Sequence, residues 1–406
     1  MSDHWPAVTF NDLIVDGVLE IGDGYRAKLE ELGGDGPIFV RAGKLTERGF
    51  NWSDSERFNS ELAPKLASKF GQPEDTVITT KGNSVGRTGY VPHRAPEFVY
   101  SPHLSYWRCL DRTRLVPGYL RYWARSPEFE AQLRAMAHST DMAPYLSLQD
   151  QRRLQFALPP IEHQNATASV LGTLDDMIAV NESCLRSAHQ LMKYHFELAM
   201  TQGSVAATIG DVAKVFDGPH ATPEKTASGP WFLSISSLQN GRLVLTDSAH
   251  LGEQDFAHWT RRVTPSAGDV LFSYETRLGE AAIMPDGVRA CLGRRMALLR
   301  PRIDVLGPRT LLQSYLGESF QETIRQRAVH GATVDRIPLT ELPAWPITVP
   351  ERADRLESLL GAIDDMAAQR ERENETLAAL RETLLPKLMS GEIRVRDAEK
   401  VVEEAL

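Results

Sequence analysis

Two pairs of neighbouring aspartates are the first residues of this sequence whose types could support acid–base chemistry. Asp175 and Asp176 recur as Asp364 and Asp365, 189 positions later. A catalytic carboxylate pair needs both groups on one side of a substrate, whereas adjacent residues of a helix point about 100° apart. The spacing therefore favours solvated charges or contacts with a partner protein over catalysis.

Other motifs of enzyme chemistry are missing. The glycine-rich stretch KGNSVGRTG (81–89) lacks the GxxxxGK[ST] spacing of a phosphate-binding loop and is more typical of a hairpin tip. His93 and His103, or His250 and His258, have no cysteine or carboxylate at the spacing of a zinc site. The sequence contains no HExxH or GxSxG motif and no GxGxxG after a strand. It therefore predicts no catalytic residue, no metal site and no cofactor.

Composition indicates a cytoplasmic globular protein with more than one domain. The 406 residues exceed the usual size of a single core, and we see no apolar run of membrane-spanning length and no signal peptide. The three cysteines form no CxxC pair, which suits a reducing compartment. The net charge of −9 argues against a nucleic-acid partner, but residues 36–158 carry 17 basic and 12 acidic side chains. The acidic excess is concentrated elsewhere.

The aspartate pairs lie in a repeated decapeptide, VLGTLDDMIA (170–179) and LLGAIDDMAA (359–368). It belongs to two helical stretches, about 161–200 and 351–389, where apolar residues recur in steps of three and four. We predict a heptad seam of Val170, Leu174, Met177, Asn181, Leu191, Leu359, Ile363, Met366, Arg370, Leu377, Leu380 and Leu384. Two interpretations are open: each helix packs on its own domain, or the helices pair as a coiled coil whose polar seam residues fix the register. We favour the second, and expect Pro386 to end or kink the second helix.

The segments before the helices also repeat. DTVITTKGNSVGRTGYVP (75–92) aligns without a gap on GDVLFSYETRLGEAAIMP at an offset of 193, and each copy predicts a β-hairpin with a polar tip. We therefore predict an α+β fold with two similar mixed α/β domains, 1–160 and 204–349, and helical spacers at 161–203 and 350–406. If the two helices were parallel, the chain would need a return connection as long as a helix, and none is present. We therefore expect antiparallel helices and an approximate two-fold axis.

Two similar readers joined by a rigid spacer suit duplex DNA, whose half-sites repeat by whole helical turns. Polar hairpin tips suit a groove, and arginine and lysine suit phosphate or guanine contacts. The candidate DNA-binding residues are Arg41, Lys44, Lys81, Asn83, Ser84 and Arg87 in the first domain and Tyr274, Thr276, Arg277, Arg294 and Arg295 in the second. Because the two tips differ in sequence, we predict that Arg87 and Arg277 contact bases. The alternative for each candidate is a solvated loop residue.

Over nearly its whole length the sequence resembles the specificity (S) subunits of type I restriction-modification systems. LEIGDGYRAKLEEL (19–32) is similar to the opening of their domains, and the two hairpin sequences are similar to their hairpins. TDMAPYLSLQDQRRLQFALPPIEHQ (140–164) is similar to their domain exit. LGTLDDMIAVN (171–181) and TLAALRETLLPKLMSGEIRV (376–395) are similar to their two helical regions. IEHQ (161–164) departs from the family pattern, which often has an acid directly before the glutamine.

The resemblance implies a non-catalytic DNA-binding subunit of a phage-defence complex. Each domain would be a target-recognition domain for one part of a bipartite double-stranded DNA site, and the helices would set the spacing and dock two methyltransferase subunits. Endonuclease/translocase subunits would complete the complex, and S-adenosylmethionine, Mg²⁺ and ATP would belong to the partners. A protein–protein scaffold without DNA readout is the open alternative, favoured by the acidic total.

Overall fold

The structure is a computed structural model that describes residues 5–405 except 47–48, 67–68, 138–143, 240, 247 and 332–333. Its first strands are β1 (Ala7–Thr9), β2 (Leu19–Asp23), β3 (Ile38–Val40), β4 (Leu45–Thr46), β5 (Gly49–Phe50), β6 (Thr76–Thr79), β7 (Thr88–Tyr90), β8 (Phe98–Tyr100), β9 (Leu104–Cys109) and β10 (Gln155–Ala157). The accompanying helices are α1 (Phe10–Val15), α2 (Ala63–Leu66), α3 (Pro117–Trp123), α4 (Pro127–Ala137), α5 (Leu148–Arg152) and the long α6 (Ile161–Gln202).

The chain then repeats this pattern. The later strands are β11 (Ser204–Thr208), β12 (Ala213–Asp217), β13 (Lys225–Leu233), β14 (Leu238–Gln239), β15 (Arg242–Leu243), β16 (Ala249–Leu251), β17 (Val270–Ser273), β18 (Ala281–Ile283), β19 (Ala290–Leu292), β20 (Met296–Pro301) and β21 (Pro346–Pro350). The later helices are α7 (Ile209–Val212), α8 (Phe256–Trp259), α9 (Pro308–Leu316), α10 (Glu318–Arg327), the long α11 (Ala353–Met389) and α12 (Val395–Ala405). The fold is α+β, as the sequence predicts.

The chain forms two compact units. Unit 1 comprises Met1–Asn181 with Arg372–Leu406, and unit 2 comprises Glu182–Glu371. Each contains a four-stranded antiparallel sheet of the same order, β2-β9-β6-β7 in unit 1 and β12-β20-β17-β18 in unit 2. Each also contains a parallel pair, β3-β8 or β13-β19, and an antiparallel pair, β1-β10 or β11-β21. The repeated sequence therefore encodes a repeated topology.

The two predicted hairpins are present as β6–β7 and β17–β18, but the gapless alignment of their sequences is wrong by one residue. The connection at 80–87 in unit 1 is one residue longer than the connection at 274–280 in unit 2. A tip can absorb an extra residue because the register of the flanking strands is held by their own ladder of hydrogen bonds.

A buried aspartate precedes the hairpin in each unit and is held by an arginine of the next strand in the sheet. Arg108 donates two hydrogen bonds to Asp75 (2.7 and 2.8 Å), and Arg300 does the same to Asp269 (2.8 and 2.7 Å). Asp75 is fully buried and also accepts a hydrogen bond from the Tyr100 hydroxyl (2.9 Å). Such bidentate, charge-assisted pairs fix geometry strongly, so they set the start of each hairpin relative to the central strand.

Replacement of Asp75 by asparagine should lower the free energy of unfolding by about 3–5 kcal/mol, because the largely buried Arg108 guanidinium loses its counter-charge. The Asp269→Asn change should cost less, since the Arg300 side chain is 38% exposed and water screens that pair. Urea unfolding followed by tryptophan fluorescence measures both changes. Asp23→Asn, at an exposed position of β2, is the control. Equal stability of Asp75→Asn and Asp23→Asn would contradict a stabilising role for the pair.

In unit 1 the first half of α6 packs antiparallel on the last part of α11, and both join the core of the sheet domain. Leu174 of α6 and Leu384 of α11 lie in one cluster with Trp107 and Trp123. Further along the seam, the Asn181 side-chain amide donates a hydrogen bond to the Asn374 side-chain oxygen (3.0 Å), and Asn181 is buried. A satisfied polar pair inside an apolar seam disfavours slippage, because a shifted register would leave buried amide groups unpaired.

In unit 2 the second half of α6 packs on the first half of α11. Ala188 clusters with Ile363 and Ala367, whereas Phe196, further along α6, clusters with Leu356 and Leu360, further back along α11. The opposite directions of numbering show that the helices are antiparallel here as well. Within each unit the helices therefore pair with each other.

At most positions the predicted seam residues face the partner helix. At three positions the residue that faces the partner helix is the one directly after the predicted residue. Val170, Leu174, Asn181, Ile363, Leu377 and Leu384 are buried, and Met177, Arg370 and Leu380 are partly buried. Leu191, Leu359 and Met366 are exposed, and their neighbours Met192, Leu360 and Ala367 face the partner helix instead. The pattern misleads at positions such as 366–367, because a large apolar residue precedes a small one that fits the seam. Helix α11 also continues through Pro386 and ends at Met389.

Among the repeated aspartates, Asp176 and Asp365 are exposed, as the sequence-based expectation of solvated charges predicts, whereas Asp175 differs from it. The Asp175 side chain is only 12% exposed and accepts hydrogen bonds from Arg121 of α3 (2.5 Å), Tyr122 of α3 (2.8 Å) and Arg381 of α11 (2.7 Å). Burial by itself raises the pKa of this carboxyl, but these arginines and the hydroxyl outweigh burial and hold the pKa below its usual value. Asp175 thus joins the domain to both helices. In unit 2, Arg309 of α9 instead pairs with Asp364 of α11 (3.1 Å).

Asp175→Asn should destabilise unit 1 by about 3 kcal/mol, because three arginines near the site lose their shared counter-charge. Its neighbour Asp176 is exposed, so Asp176→Asn is a matched control expected to change stability by less than about 0.5 kcal/mol. Thermal unfolding at neutral pH compares the two variants. Indistinguishable melting curves would contradict a central role for Asp175.

Acid should reveal the same interaction. A depressed folded-state pKa gives stability that is present above the usual aspartate pKa of about 3.9 and is lost as the pH falls through the lowered value. The stability difference between wild type and Asp175→Asn should therefore shrink below about pH 4. Urea unfolding across pH 3 to 7 measures this difference, and a difference that stays constant with pH would contradict the assignment.

Candidate nucleic-acid interface

Nine of the eleven candidate residues lie at one end of the four-stranded sheet of their unit, whereas Arg41 and Lys44 lie in the turn after β3. We define loop end 1 as residues 24–26, 80–87, 101–103 and 144–146 of unit 1, and loop end 2 as residues 218–220, 274–280, 293–295 and 335–337 of unit 2. The first three segments of each loop end follow β2 and β6 or precede β9 in unit 1, and hold the same positions around β12, β17 and β20 in unit 2. The fourth segment is joined to the hairpin tip by backbone hydrogen bonds.

The same backbone hydrogen bonds build both loop ends. In loop end 1 these bonds run from the N–H of Gly24 to the carbonyl of Leu104 (3.1 Å), from Thr80 to His103 (2.9 Å), from Gly82 to Pro144 (3.2 Å) and from Leu146 to Thr80 (2.9 Å). In loop end 2 the equivalent bonds run from the N–H of Gly218 to the carbonyl of Met296 (3.2 Å), from Tyr274 to Arg295 (3.1 Å), from Thr276 to Asp335 (3.4 Å) and from Ile337 to Tyr274 (2.8 Å). Because backbone groups make these bonds, side chains can differ between the units without changing the framework.

A glycine fixes each hairpin tip against a helix. Gly86 and Gly279 have φ values of +89° and +86°, which disfavour other residues. A Cβ atom would lie 2.1 Å from the Leu133 side chain of α4 at the first position and 2.1 Å from the Gln321 side chain of α10 at the second. Glycine is therefore required at both positions for the same two reasons, the positive φ value and the lack of space for a Cβ atom.

Loop end 1 presents two candidates to solvent. Lys81 and Asn83 are exposed, and in the described part of the chain neither side chain has a hydrogen-bond or ion-pair partner. Ser84 is half-buried and its carbonyl accepts a hydrogen bond from the Arg87 N–H (3.0 Å). Arg87 also donates from its guanidinium to the carbonyl of Leu45 (3.0 Å). Arg87 thus connects the tip to the turn that carries other candidates.

That turn contains Arg41 and Lys44, which already have partners. Arg41 pairs with Glu56 and its guanidinium lies over the Phe39 ring, 5.1 Å from the ring centroid. Lys44 donates to the carbonyl of Ser53. Contact of either side chain with a phosphate would compete with these interactions, so both are weaker candidates than Lys81.

Loop end 2 is partly closed by ion pairs. Arg277 pairs with Glu280 (2.9 Å), and Arg295 pairs with Glu275 (3.0 Å) while also donating to the Thr276 hydroxyl (3.3 Å). Arg294 is exposed and has no such partner among the residues that the structure describes. The four candidates Thr276, Arg277, Arg294 and Arg295 are therefore close together, and Arg294 is the one whose charge is unmatched.

Tyr274 departs from the prediction of a DNA contact, because its side chain is buried in the core of unit 2. Its hydroxyl faces His220 (3.4 Å), and His220 in turn pairs with Asp217 (3.0 Å). Burial raises the pKa of Tyr274 to about 12, so the phenol stays neutral. Tyr274 is therefore a core residue at the start of the tip. Periodicity could have indicated this, since Tyr274 continues the alternation of the preceding strand.

Sequence reasoning missed four residues of the loop ends. Arg26 and His220 are exposed and occupy the same position, two residues after the glycine of a repeated Asp-Gly pair, 23–24 and 217–218. Tyr145 and Arg336 are also exposed and stand opposite the tips in equivalent β-bridges. The Asp-Gly repeat was a usable signal for the first pair, whereas nothing in the sequence relates Tyr145 to Arg336.

The chemistry available at the loop ends is binding. They offer cations and hydrogen-bonding groups, which can contact phosphates and base edges. Among the described residues, no three His, Cys, Asp or Glu side chains cluster as metal ligands would. Within the same residues, each helix is too short or too polar to cross a lipid bilayer.

Fold and loop ends together define a duplicated protein with two similar sheet-containing units, in each of which the two long helices are paired. The structure is similar to the S subunit of a type I restriction-modification system from M. genitalium, with 14% identity, a TM-score of 0.58 and coverage of 95% of this chain and 96% of that one. This likeness confirms the fold that the sequence resemblance implied: the chain has the fold of type I S subunits. No family model and no curated protein matches the sequence.

Two further solved structures are similar at lower scores. One, from work on complex assembly and conformational transition of the type I restriction-modification system, has 18% identity, a TM-score of 0.44 and coverage of 96% and 98% of the two chains. The HsdS subunit from Thermoanaerobacter tengcongensis has 17% identity, a TM-score of 0.37 and coverage of 97% and 98%. The fold assignment depends on the M. genitalium structure.

If the loop ends contact DNA, the unmatched cations should supply affinity without sequence preference. We expect Lys81→Ala and Arg294→Ala each to weaken binding to every duplex alike and to lower the slope of log affinity against log salt by about one unit. Arg41→Ala should change the slope less, because its charge is already paired with Glu56. Fluorescence anisotropy with labelled duplexes across a salt series measures the slopes. Unchanged slopes for both first variants would remove these residues from the interface.

Proposed function

We propose that this chain is the DNA-specificity subunit of a type I restriction-modification complex. Each unit reads one half of a bipartite, non-palindromic site through its loop end. Residues 1–160 and 204–349 act as the two target-recognition domains, and the paired helices act as spacer and docking platform. The likeness of the fold to that of a type I S subunit over 95% of this chain supports this proposal.

The observation that carries the proposal is the common backbone framework of the loop ends with different side chains on it. The tips read KGNSVGR in unit 1 and YETRLGE in unit 2. Two domains that have the same fold but bind different DNA sequences need a constant backbone scaffold and different side chains at the tips. A duplicated enzyme domain would instead keep its functional side chains the same.

Charge favours DNA over a purely protein partner. Loop end 1 contains three basic residues and no acidic residue, although the whole chain has a net charge of −9. Loop end 2 contains four basic and three acidic residues. A positive surface on an acidic protein concentrates phosphate contacts at one place. Unit 1 should therefore supply more of the electrostatic affinity, and unit 2 relatively more of the hydrogen-bond selectivity.

Partner docking is proposed on the outward faces of the helices. In unit 2, Leu191, Tyr194 and Leu198 of α6 and Leu359 and Met366 of α11 are exposed. The three α6 residues recur in steps of three and four, so they form a stripe on one face of that helix. Helices of methyltransferase subunits would cover such residues. Methylation and cleavage, with S-adenosylmethionine, Mg²⁺ and ATP, are assigned to methyltransferase and endonuclease subunits, and this chain is assigned no catalytic step.

Methylome sequencing of the host with and without this gene tests the function. We expect one bipartite methylated motif to disappear when the gene is deleted and to return when it is restored. Exchange of residues 36–158 for the equivalent segment of a relative should change one half of the motif only, and exchange of residues 204–349 should change the other half.

The outcomes separate the alternatives. Alteration of both halves by either exchange would contradict independent readers. Loss of no motif, with the chain still bound to partner proteins, would instead support a scaffold without DNA readout.

A further inference from the structure

A short segment beside the tip of unit 1 is joined to that tip by backbone hydrogen bonds. Residues 144–146 flank it through the two hydrogen bonds that link Gly82 to Pro144 and Leu146 to Thr80, and Lys81 stands opposite Tyr145 in an antiparallel bridge. These contacts fix the position of the Tyr145 Cα atom relative to the tip.

The Tyr145 side chain points away from the core. Leu146 is 1% exposed, and neighbouring residues of an extended chain point to opposite sides. Tyr145 is 54% exposed, and its hydroxyl and ring have no hydrogen-bond or ring partner in the described part of the chain. A large planar side chain is therefore held at a fixed place next to Lys81, in contact with solvent.

Unit 2 holds a different planar group at the same place. Ile337, like Leu146, is 1% exposed, and Arg336 stands opposite Glu275 in the equivalent bridge. The backbone N–H and carbonyl of Arg336 are both bonded to Val329, at 3.1 and 2.9 Å. The Arg336 guanidinium is exposed, and no acceptor for it lies within the described residues.

Exposure of one aromatic ring would not be informative, since isolated apolar residues are common on protein surfaces. The equivalence of the two sites is informative. In both units the residues before and after the site are hydrogen-bonded to the tip, and the site itself forms a β-bridge with a tip residue. Both side chains are also planar. Anchoring lowers the entropy lost when a side chain is used for binding, which is typical of contact residues.

We infer that Tyr145 and Arg336 are specificity-determining residues, each for the half-site of its own unit; this inference rests on the proposed function. Tyr145 packs its ring against a thymine methyl group, which is the apolar group that the major groove presents. Arg336 donates to O6 and N7 of a guanine, the geometry that suits a guanidinium. The two half-sites then differ in chemistry at one equivalent position.

The test uses the full chain in its complex with the methyltransferase subunits, purified from the host, and duplexes carrying the motif found by methylome sequencing. Thymines of the unit 1 half-site are replaced one at a time by deoxyuridine, which lacks the methyl group. Wild type should lose affinity at one position, and Tyr145→Ala should bind both duplexes equally. Guanines of the unit 2 half-site are replaced by 7-deazaguanine. Arg336→Ala should lose about 5- to 150-fold in discrimination at one guanine and remain unchanged in the unit 1 half-site.

Controls keep the inference distinct from folding and from the proposed function. Leu110→Ala removes a side chain of the same exposed fraction, 54%, at the opposite end of the sheet of unit 1, and should leave discrimination unchanged. Tyr145→Phe should retain the thymine preference, because the ring remains. A wild-type complex that binds the motif but is indifferent to every deoxyuridine and deazaguanine would overturn this inference alone. A wild-type complex that does not distinguish the motif from a scrambled duplex would overturn the proposed function as well.

Discussion

The carboxylate of Asp175 is the interaction on which unit 1 depends. It is nearly buried, and it is shared by Arg121 and Tyr122 of α3 and by Arg381 of α11. A buried charge must be neutralised where it stands, so these groups can satisfy it only if α3, α6 and α11 approach in one arrangement. Apolar contacts along the same helices are less selective, since several registers would bury similar area. Unit 2 uses the same distribution of charges, because there Arg309 of α9 contacts Glu357 and Asp364 of α11.

The two units also show how a fold can be kept while the side chains of its loops change. The antiparallel ladders, the Arg–Asp pairs and the bonds of the loop ends recur in both. Nearly all of them are made by backbone groups or by buried side chains. The exposed residues that differ between the loop ends, such as Tyr145 and Arg336, are outside this shared set. The contacts that build the fold and the contacts proposed for recognition are therefore made by different atoms of the same segments.

The repeat, the hairpins and the long helices were predictable from the sequence, because each follows from local periodicity or from direct comparison of the two halves. The seam was predictable to within one residue, and it failed where a large apolar side chain stands beside a small one, as at Met366 and Ala367. The role of Asp175 was not predictable, since its partners Arg121 and Arg381 are 54 and 206 residues away in sequence. Among the proposed contact residues, Lys81 and Arg294 could be proposed from the sequence, whereas Tyr145 could not, because a β-bridge between distant segments leaves no pattern in either segment.

The backbone framework of the loop ends has an evolutionary consequence. Side chains that make no folding contact can be exchanged at little cost in stability, so most substitutions at positions such as 81, 145, 294 and 336 should leave the protein folded. New target sequences would then be reachable by single steps through viable intermediates. Under the proposed function, such robustness would let the loop ends follow an invader whose DNA changes, and its physical basis would be the bonds from Gly82 to Pro144 and from Thr276 to Asp335.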